Sequence, residues 1–399
     1  MNKETKQFIA LHEKEDIFAL KLKYKNVPGI DIDLAIRQIT GKQKIKSKVP
    51  LFYHTEDILY PVQLSLEQSS SELTATYKST LCEGDRLVDL TGGFGVDCCF
   101  MSRGFKQATY VERQAGLCEL AVHNFHALGK DHIEVIHAET DNYLSTMEHA
   151  DWIFIDPARR STSGSKVVFL SDCEPNVLDL SKLLLEKADR VMIKLSPMMD
   201  ITAALRDLPF TNEVHIISVE NECKEVLLIM SREVNEKIKV KTVNLGINKD
   251  NQLFEFATDD ESVAQASYTS VVGKYLYEPN AAIMKSGAFR LIGKRFNLQK
   301  LHINTHLYTS DELSVEFPGR IFEVQKLWGN SKSELKELGQ HLPKANITTR
   351  NYPISVEDLR KKLKIKDGGE SYLFACTLNN EQKAIIQCKK VNCIKALLI

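Results

Sequence analysis

Residues 86–97, RLVDLTGGFGVD, decide the fold. Leu87 and Val88 form a short apolar run that ends at Asp89, and Thr91, Gly92, Gly93 and Gly95 follow before Val96 opens a helix. A glycine-rich turn between a buried strand and a helix lets backbone approach a ligand closely. Nicotinamide and flavin folds use such a turn too, so its neighbours must say which ligand it serves. ATYVE ends at Glu112, 23 residues after Asp89, where a carboxylate at the tip of a second strand can accept both hydroxyls of a ribose. IEVIHAETDNYL places Glu139 or Asp141 after a third run, and WIFIDPARR places Asp156 and Pro157 after a fourth. RVMIKL, EVHIISVE and EVLLIM bring the β-type runs to seven, alternating with helical segments, which predicts a mostly parallel sheet with helices on both faces. Only ENECK separates the last two runs. That is too short for a crossover helix, so they are expected to pair antiparallel.

This series of acidic and glycine-bearing strand tips, closed by an antiparallel pair, resembles the class I S-adenosylmethionine-dependent methyltransferases over residues 65–231. The resemblance implies an α/β fold with a Rossmann-like, seven-stranded methyltransferase sheet. It also implies that Asp89, Thr91, Gly92, Gly93 and Gly95 line the methionine end and adenosine, that Glu112 holds the ribose, and that Glu139 sits near the adenine edge. The chemistry agrees. S-adenosylmethionine is a sulfonium without phosphate, so carboxylates are tolerated where a pyrophosphate would be repelled.

The fourth strand's tip bears on the reaction. Methyltransferases that act on nitrogen often carry an acid or amide, two prolines and an aromatic residue there, so that the polar side chain and a carbonyl position a weak nucleophile. Here Asp156 and Pro157 fit that pattern, while Ala158, Arg159 and Arg160 replace the second proline and the ring. Arg159 and Arg160 are candidates to clamp a phosphate or stack on a base, or they pair with surface acids. A second set, Lys78, Asp156, Lys194 and Glu220, looks like the tetrad of ribose 2′-O-methyltransferases. There, a lysine of lowered pKa activates the hydroxyl. Asp156, Pro157 and Lys194 are therefore the catalytic candidates, and Lys78, Arg159 and Arg160 the substrate-binding ones.

Outward from this core, residues 1–80 read as a helical region. FIALHEKEDIFALKLKY has helical spacing, VPGIDIDLAIRQITG is a helix expected to end at Gly41, and the lysine-rich GKQKIKSKVP is expected to be a linker. After a methyltransferase domain at 81–232 comes a polar linker and a further segment over 233–319. A small α+β domain over 320–399 follows, with strands at GRIFEVQKLWG, ANITTRNYPI and YLFACTL and helices at SKSELKELGQHL and SVEDLRKKLKI. YLYEPNAAIMKSG and RNYPISVEDLRKKLKIKDGGESYLF resemble bacterial class I methyltransferases that end in a ferredoxin-like segment and a THUMP-like domain, which implies an RNA partner. Charge points the same way. Residues 271–399 hold 21 Lys and Arg against 12 Asp and Glu, a surplus of nine that suits phosphate contacts, although the whole chain carries −1.

With 43% apolar and 26% charged residues the chain can bury a sizeable core, and nothing in it approaches the roughly 18 apolar residues of a membrane span. MNKETKQFIALHEKED lacks the apolar core of a secretion signal, and nine cysteines without a C-x-x-C pair read as reduced thiols rather than as a disulfide framework or metal site. The expectation is a cytoplasmic, metal-independent methyltransferase using S-adenosylmethionine on a base nitrogen of tRNA or rRNA. Ribose O2′, a protein, a small molecule, or a non-catalytic role in binding cofactor and RNA are the alternatives.

Overall fold

In the computed structural model, residues 1–159, 170–233, 235–247 and 249–391 are described. The chain divides into two compact units, Met1–Val214 with Lys224–Glu236, and His215–Cys223 with the chain from Lys237 onward.

The first unit begins with helices α1 (Lys3–His12), α2 (Ile17–Lys23), α3 (Ile32–Lys48), α4 (Pro50–His54), α5 (Gln63–Gln68) and α6 (Glu72–Ser79). Asn2, Asp16, Asp31 and Ser71 cap α1, α2, α3 and α6, each side chain accepting from a backbone N–H of the first turn. Phe8, Ile9, Leu20, Ala35, Ile36 and Ile39 bury a small core between the first three helices. The lysine-rich stretch is not a linker, and Gly41 does not stop the helix. It lies within α3, where a Cβ would fall 2.3 Å from that of Tyr60, so close packing explains the glycine. The lysines beyond it continue the helix because their long, unbranched stems lose little freedom there.

The expected runs then appear in order, beginning with β1 (Gly84–Asp89), β2 (Phe105–Glu112), β3 (Ile133–His137) and β4 (Ala150–Ile155). Two-residue strands β5 (Ala158–Arg159) and β6 (Cys173–Glu174) come next and pair with each other. β7 (Ala188–Leu195), β8 (Thr211–Val219) and β9 (Glu222–Ser231) complete the series. Helices α7 (Val96–Met101), α8 (Ala115–Ala127), α9 (Thr140–Thr146), α10 (Val177–Lys187) and α11 (Ile201–Asp207) connect the strands. These seven longer strands stand in the order β8-β9-β7-β4-β1-β2-β3 within a nine-stranded sheet. β1 pairs parallel with β2 and β4, β2 with β3, and β4 with β7, whereas β9 runs antiparallel to β7. The expected parallel core holds, and so does the closing pair, since β8 and β9 are neighbours joined by Glu220 and Asn221 alone, too short a link for parallel strands. Leu87, Val88, Ile153, Val191, Met192 and Ile193 are wholly buried, as strands covered on both faces require.

The second unit contains the distal part of the β8–β9 hairpin and an antiparallel pair, β10 (Lys239–Leu245) with β11 (Gln252–Ala257), inside the stretch read as a polar linker. After α12 (Thr258–Val263) come β12 (Ser267–Tyr268), β13 (Tyr275–Pro279), α13 (Ala281–Ser286), α14 (Leu291–Arg295), β14 (Gln299–Lys300), β15 (Tyr308–Ser310), β16 (Gly319–Trp328), α15 (Lys332–His341), β17 (Lys344–Arg350), α16 (Val356–Leu363), β18 (Lys366–Thr377) and β19 (Lys383–Lys390). Strands β12 to β19 form one sheet in the order β12-β14-β15-β13-β16-β19-β18-β17. Leu335, Leu338, Leu359 and Leu363 bury the apolar faces of α15 and α16 with Trp328, Ile347, Leu373 and Ile385. Among the described residues no helix is long and apolar enough to cross a membrane.

Candidate active site

The carboxyl ends of β1, β2 and β4 open on one cavity of about 990 Å³, lined by first-unit residues. In open α/β sheets ligands bind at this edge. The glycine turn is shaped from below. A Cβ on Gly92 would lie 2.1 Å from the Tyr110 ring, while one on Gly93, whose φ is +55°, would meet only the Thr91 carbonyl oxygen at 3.8 Å and otherwise face open space. Tyr110 donates its hydroxyl to the Gly93 carbonyl at 2.6 Å. The turn's backbone is thereby fixed with its bare side toward the cavity.

Acids stand at the tips of these strands. Asp89, 1% exposed, accepts the Thr91 N–H at 3.0 Å. Burial, reinforced by Asp97 and Asp156 and opposed by the Thr91 hydrogen bond, pushes its carboxyl up to about 8. Glu112 receives the Gly93 N–H on one oxygen at 3.0 Å and the Gln114 N–H on the other at 2.8 Å, which fixes both at the cavity wall. Glu139 is exposed at the start of α9, and neighbouring Thr140 donates to the Leu90 carbonyl at 2.8 Å. Thr91 turns its hydroxyl to accept the Asp156 N–H at 2.7 Å, tying the tips of β1 and β4 together.

A buried ionic network forms the adjoining wall. Lys194 from β7 lies 2.6 Å from Asp156 Oδ2, 3.1 Å from Asp97 Oδ2 and 3.0 Å from Ser70 Oγ. Ser70 donates to Asp97 Oδ2 at 2.6 Å. Lys78 from α6 sits 3.1 Å from Asp97 Oδ1 and donates to Glu225 of β9. Burial alone would lower Lys194, but Asp156, Asp97 and Glu225 outweigh it and hold the ammonium well above its ordinary value. Burial would likewise raise Asp97, yet Lys194, Lys78 and the Ser70 hydroxyl keep it ionised.

Three expectations change here. Lys194 is not a lysine of lowered pKa, because acids surround it. Lys78, expected to touch substrate, is fully buried and supports Asp97 and Glu225 instead. Glu220 is absent from the network. It lies in the second unit with a left-handed φ of 48°, its carboxylate held by Lys249 at 2.5 Å and by the Ile247 N–H at 2.6 Å. Asp97 and Glu225 are the members that sequence reading misses. Each is a lone acid in an apolar run, VDCCFM and EVLLIM, and that mismatch is the available signal. Asp156 and Pro157 line the cavity, with the Asp156 side chain 36% exposed. Arg159 lies in β5, and Arg160 falls outside the described residues.

The residues fit S-adenosylmethionine. The cavity presents Asp89, Glu112, Glu139, Asp141 and Asp156 to a ligand carrying a positive sulfonium, and Gly93 leaves room for close backbone approach. Neither cysteine of α7 is set up as a nucleophile: Cys98 and Cys99 are buried, and burial pushes both thiols up, Cys99 to about 11. Among the described residues no group of three or more His, Cys, Asp or Glu is placed to hold a metal.

Comparison with known proteins agrees with this geometry. A family model described as a ferredoxin-like domain matches residues 275–318, and one described as THUMP domain-like matches residues 319–390. The crystal structure of a "putative methyltransferase" from Porphyromonas gingivalis W83 is 33% identical, superposes with a TM-score of 0.88 and covers 98% of each chain. An "uncharacterized S-adenosylmethionine-dependent methyltransferase" of Mycobacterium tuberculosis H37Rv is 25% identical over 309 residues, which is 76% of this chain and 80% of that protein.

Proposed function

This chain belongs to the S-adenosylmethionine-dependent methyltransferases that carry ferredoxin-like and THUMP-like domains, and from that premise we propose that it methylates a base nitrogen of structured RNA such as tRNA or rRNA. The cofactor supplies an electrophilic methyl group on a sulfonium. Asp89, Thr91 and the backbone of Gly92, Gly93 and Gly95 hold its amino-acid end and adenosine. The two Glu112 oxygens accept the ribose hydroxyls, and Glu139 borders the adenine. Asp156 and the Pro157 backbone orient the acceptor nitrogen for in-line attack, so the rate gain comes from orientation and exclusion of water.

One observation carries the choice of nitrogen: Lys194 Nζ lies 2.6 Å from Asp156 among acids that hold it protonated. An ammonium cannot remove a proton from a hydroxyl. It can fix the Asp156 carboxylate for a nitrogen that attacks through its own lone pair and afterwards passes its proton to that carboxylate or to water. The acidic lining favours an uncharged base over a phosphate at the reacting centre.

RNA as the acceptor draws on the THUMP-like match and on the nine surplus cations of residues 271–399. Arg159 and Arg160, which follow Asp156 and Pro157 in the sequence, are the proposed contacts to the polynucleotide. A cytoplasmic location draws on the eight described cysteines, none of which is in a disulfide. A second reading, transfer to ribose O2′, draws on the meeting of Lys78, Asp156 and Lys194 in one network, with Glu225 in the place expected of Glu220. Mass analysis of nucleosides from a strain lacking the gene and from its complemented counterpart tests the proposal. A base-methylated nucleoside must disappear and return, and an unchanged RNA pool would refute it.

A further inference from the structure

One cluster of the second unit has more hydrogen-bond donors than acceptors. Glu278 of β13, 2% exposed, accepts Arg320 Nε at 2.8 Å on one oxygen and Arg350 Nη2 at 2.8 Å on the other. A single carboxylate thus answers two guanidinium groups, and Arg350 Nε is buried with no hydrogen-bond partner among the described residues. Lys300 of β14, 2% exposed, donates to the Ile303 carbonyl at 2.7 Å and lies 5.3 Å from the Phe289 ring centre. An ammonium carries three N–H groups, and that carbonyl takes one. Burial pushes Lys300 down to about 8, with Glu261 opposing that shift through space rather than as an ion-pair partner. His306 stacks on the same Phe289 ring, the two centres 3.7 Å apart, and its Nδ1 is also buried and unpartnered among the described residues. Burial, then Lys300 and Arg350, push His306 down to about 4, which places both cations in its electrostatic surroundings and keeps the ring neutral.

Buried donors without acceptors are costly, and a buried ammonium without an ion-pair partner more so. The group that satisfies Arg and Lys together, and an imidazole in the tautomer that carries its proton on Nδ1, is an oxyanion with several acceptor oxygens. We infer that Lys300, His306 and Arg350 form a binding site for a phosphate oxyanion. Its source is an RNA backbone, in which case the site extends the proposed function and rests on it, or free phosphate.

Full-length protein with isotope-labelled histidine is titrated with inorganic phosphate and, separately, with a single-stranded RNA oligonucleotide lacking terminal phosphates. The His306 ring signals are assigned by their loss in His306→Gln. They are expected to shift with at least one probe, and Lys300→Met is expected to weaken that binding about tenfold or more with its melting temperature retained. Should Lys300→Met melt early, His306→Gln with phosphate affinity read by calorimetry serves as the second variant, and it too must weaken binding. A shift with RNA assigns the backbone, and a shift with inorganic phosphate alone assigns the free anion. Silence of His306 with both probes, or unaltered affinity in a folded Lys300→Met protein, overturns the site. Methyl transfer to RNA is assayed in parallel, so loss of the RNA reading leaves a phosphate response at His306 standing.

Discussion

Lys194 Nζ stands 2.6 Å from Asp156 Oδ2 and 3.1 Å from Asp97 Oδ2, so one ammonium joins the part-exposed acid at the cavity to the buried network behind it. Lys194→Met removes the clamp on Asp156 while Lys78 still answers Asp97. The expected result is a fall in kcat of about a hundredfold, the scale of misplaced reacting groups, with cofactor affinity changed little. Single-turnover kinetics beside cofactor calorimetry separate the two.

Lys78 is fully buried between Asp97 and Glu225, and removing it strands Glu225 while leaving Asp97 to Lys194 and Ser70. Lys78→Met is expected to lower unfolding free energy by about 3–5 kcal/mol, the usual consequence of breaking a buried ion pair from one side. Lys78→Met with Glu225→Gln should recover part of that loss. Urea unfolding of the first unit's signal measures both, and equal stability of single and double variants would contradict the pairing.

Asp89 makes apo stability depend on pH. Its folded value is about 8 against about 3.9 in an unfolded chain, so the folded state binds more protons between those limits. Its contribution is therefore full below about pH 4 and is lost as pH rises through about 8. Asp89→Asn should flatten the fall in melting temperature between about pH 5 and about pH 8 and raise it at the upper end, while losing cofactor affinity. Binding of the cationic cofactor by the parent protein should release a proton near neutral pH, which calorimetry in buffers of different ionisation enthalpy detects.

Gly92 and Gly93 should fail differently. Gly92→Ala drives a methyl into the Tyr110 ring and is expected to cost about 1–3 kcal/mol of stability. Gly93→Ala meets open space, so its penalty is the left-handed φ, about 1 kcal/mol, and its larger effect should be weaker cofactor binding. Thermal melts with and without cofactor distinguish them.

Much of the sheet is legible in the chain because β4, β7 and β9 contain the unbroken apolar runs WIFI, VMI and VLLIM, the mark of strands covered on both faces. The end of α3 is not. The lysines after Gly41 read as a linker because the packing of Gly41 on Tyr60, which makes that glycine part of the helix, is invisible in sequence. β10 and β11 are equally hard to see, since KVKTVNL and QLFEFA alternate polar with apolar residues amid a polar stretch. In the site, acids at strand tips can be read from position, whereas Glu225 meets Lys78 across 147 residues of chain, a pairing set only by the sheet order. The direction of the Lys194 shift depends on three acids from separate elements and cannot be read from Lys194 itself.

The central claim, transfer to a base nitrogen of RNA oriented by Asp156, is tested most directly with methyl-labelled S-adenosylmethionine and total RNA from a strain lacking the gene, using the parent protein and Asp156→Ala. The account predicts label in RNA, recovered as a base-methylated nucleoside and abolished by Asp156→Ala with cofactor binding intact. Unlabelled RNA despite cofactor binding, or label recovered only as alkali-stable 2′-O-methyl dinucleotides, would contradict it.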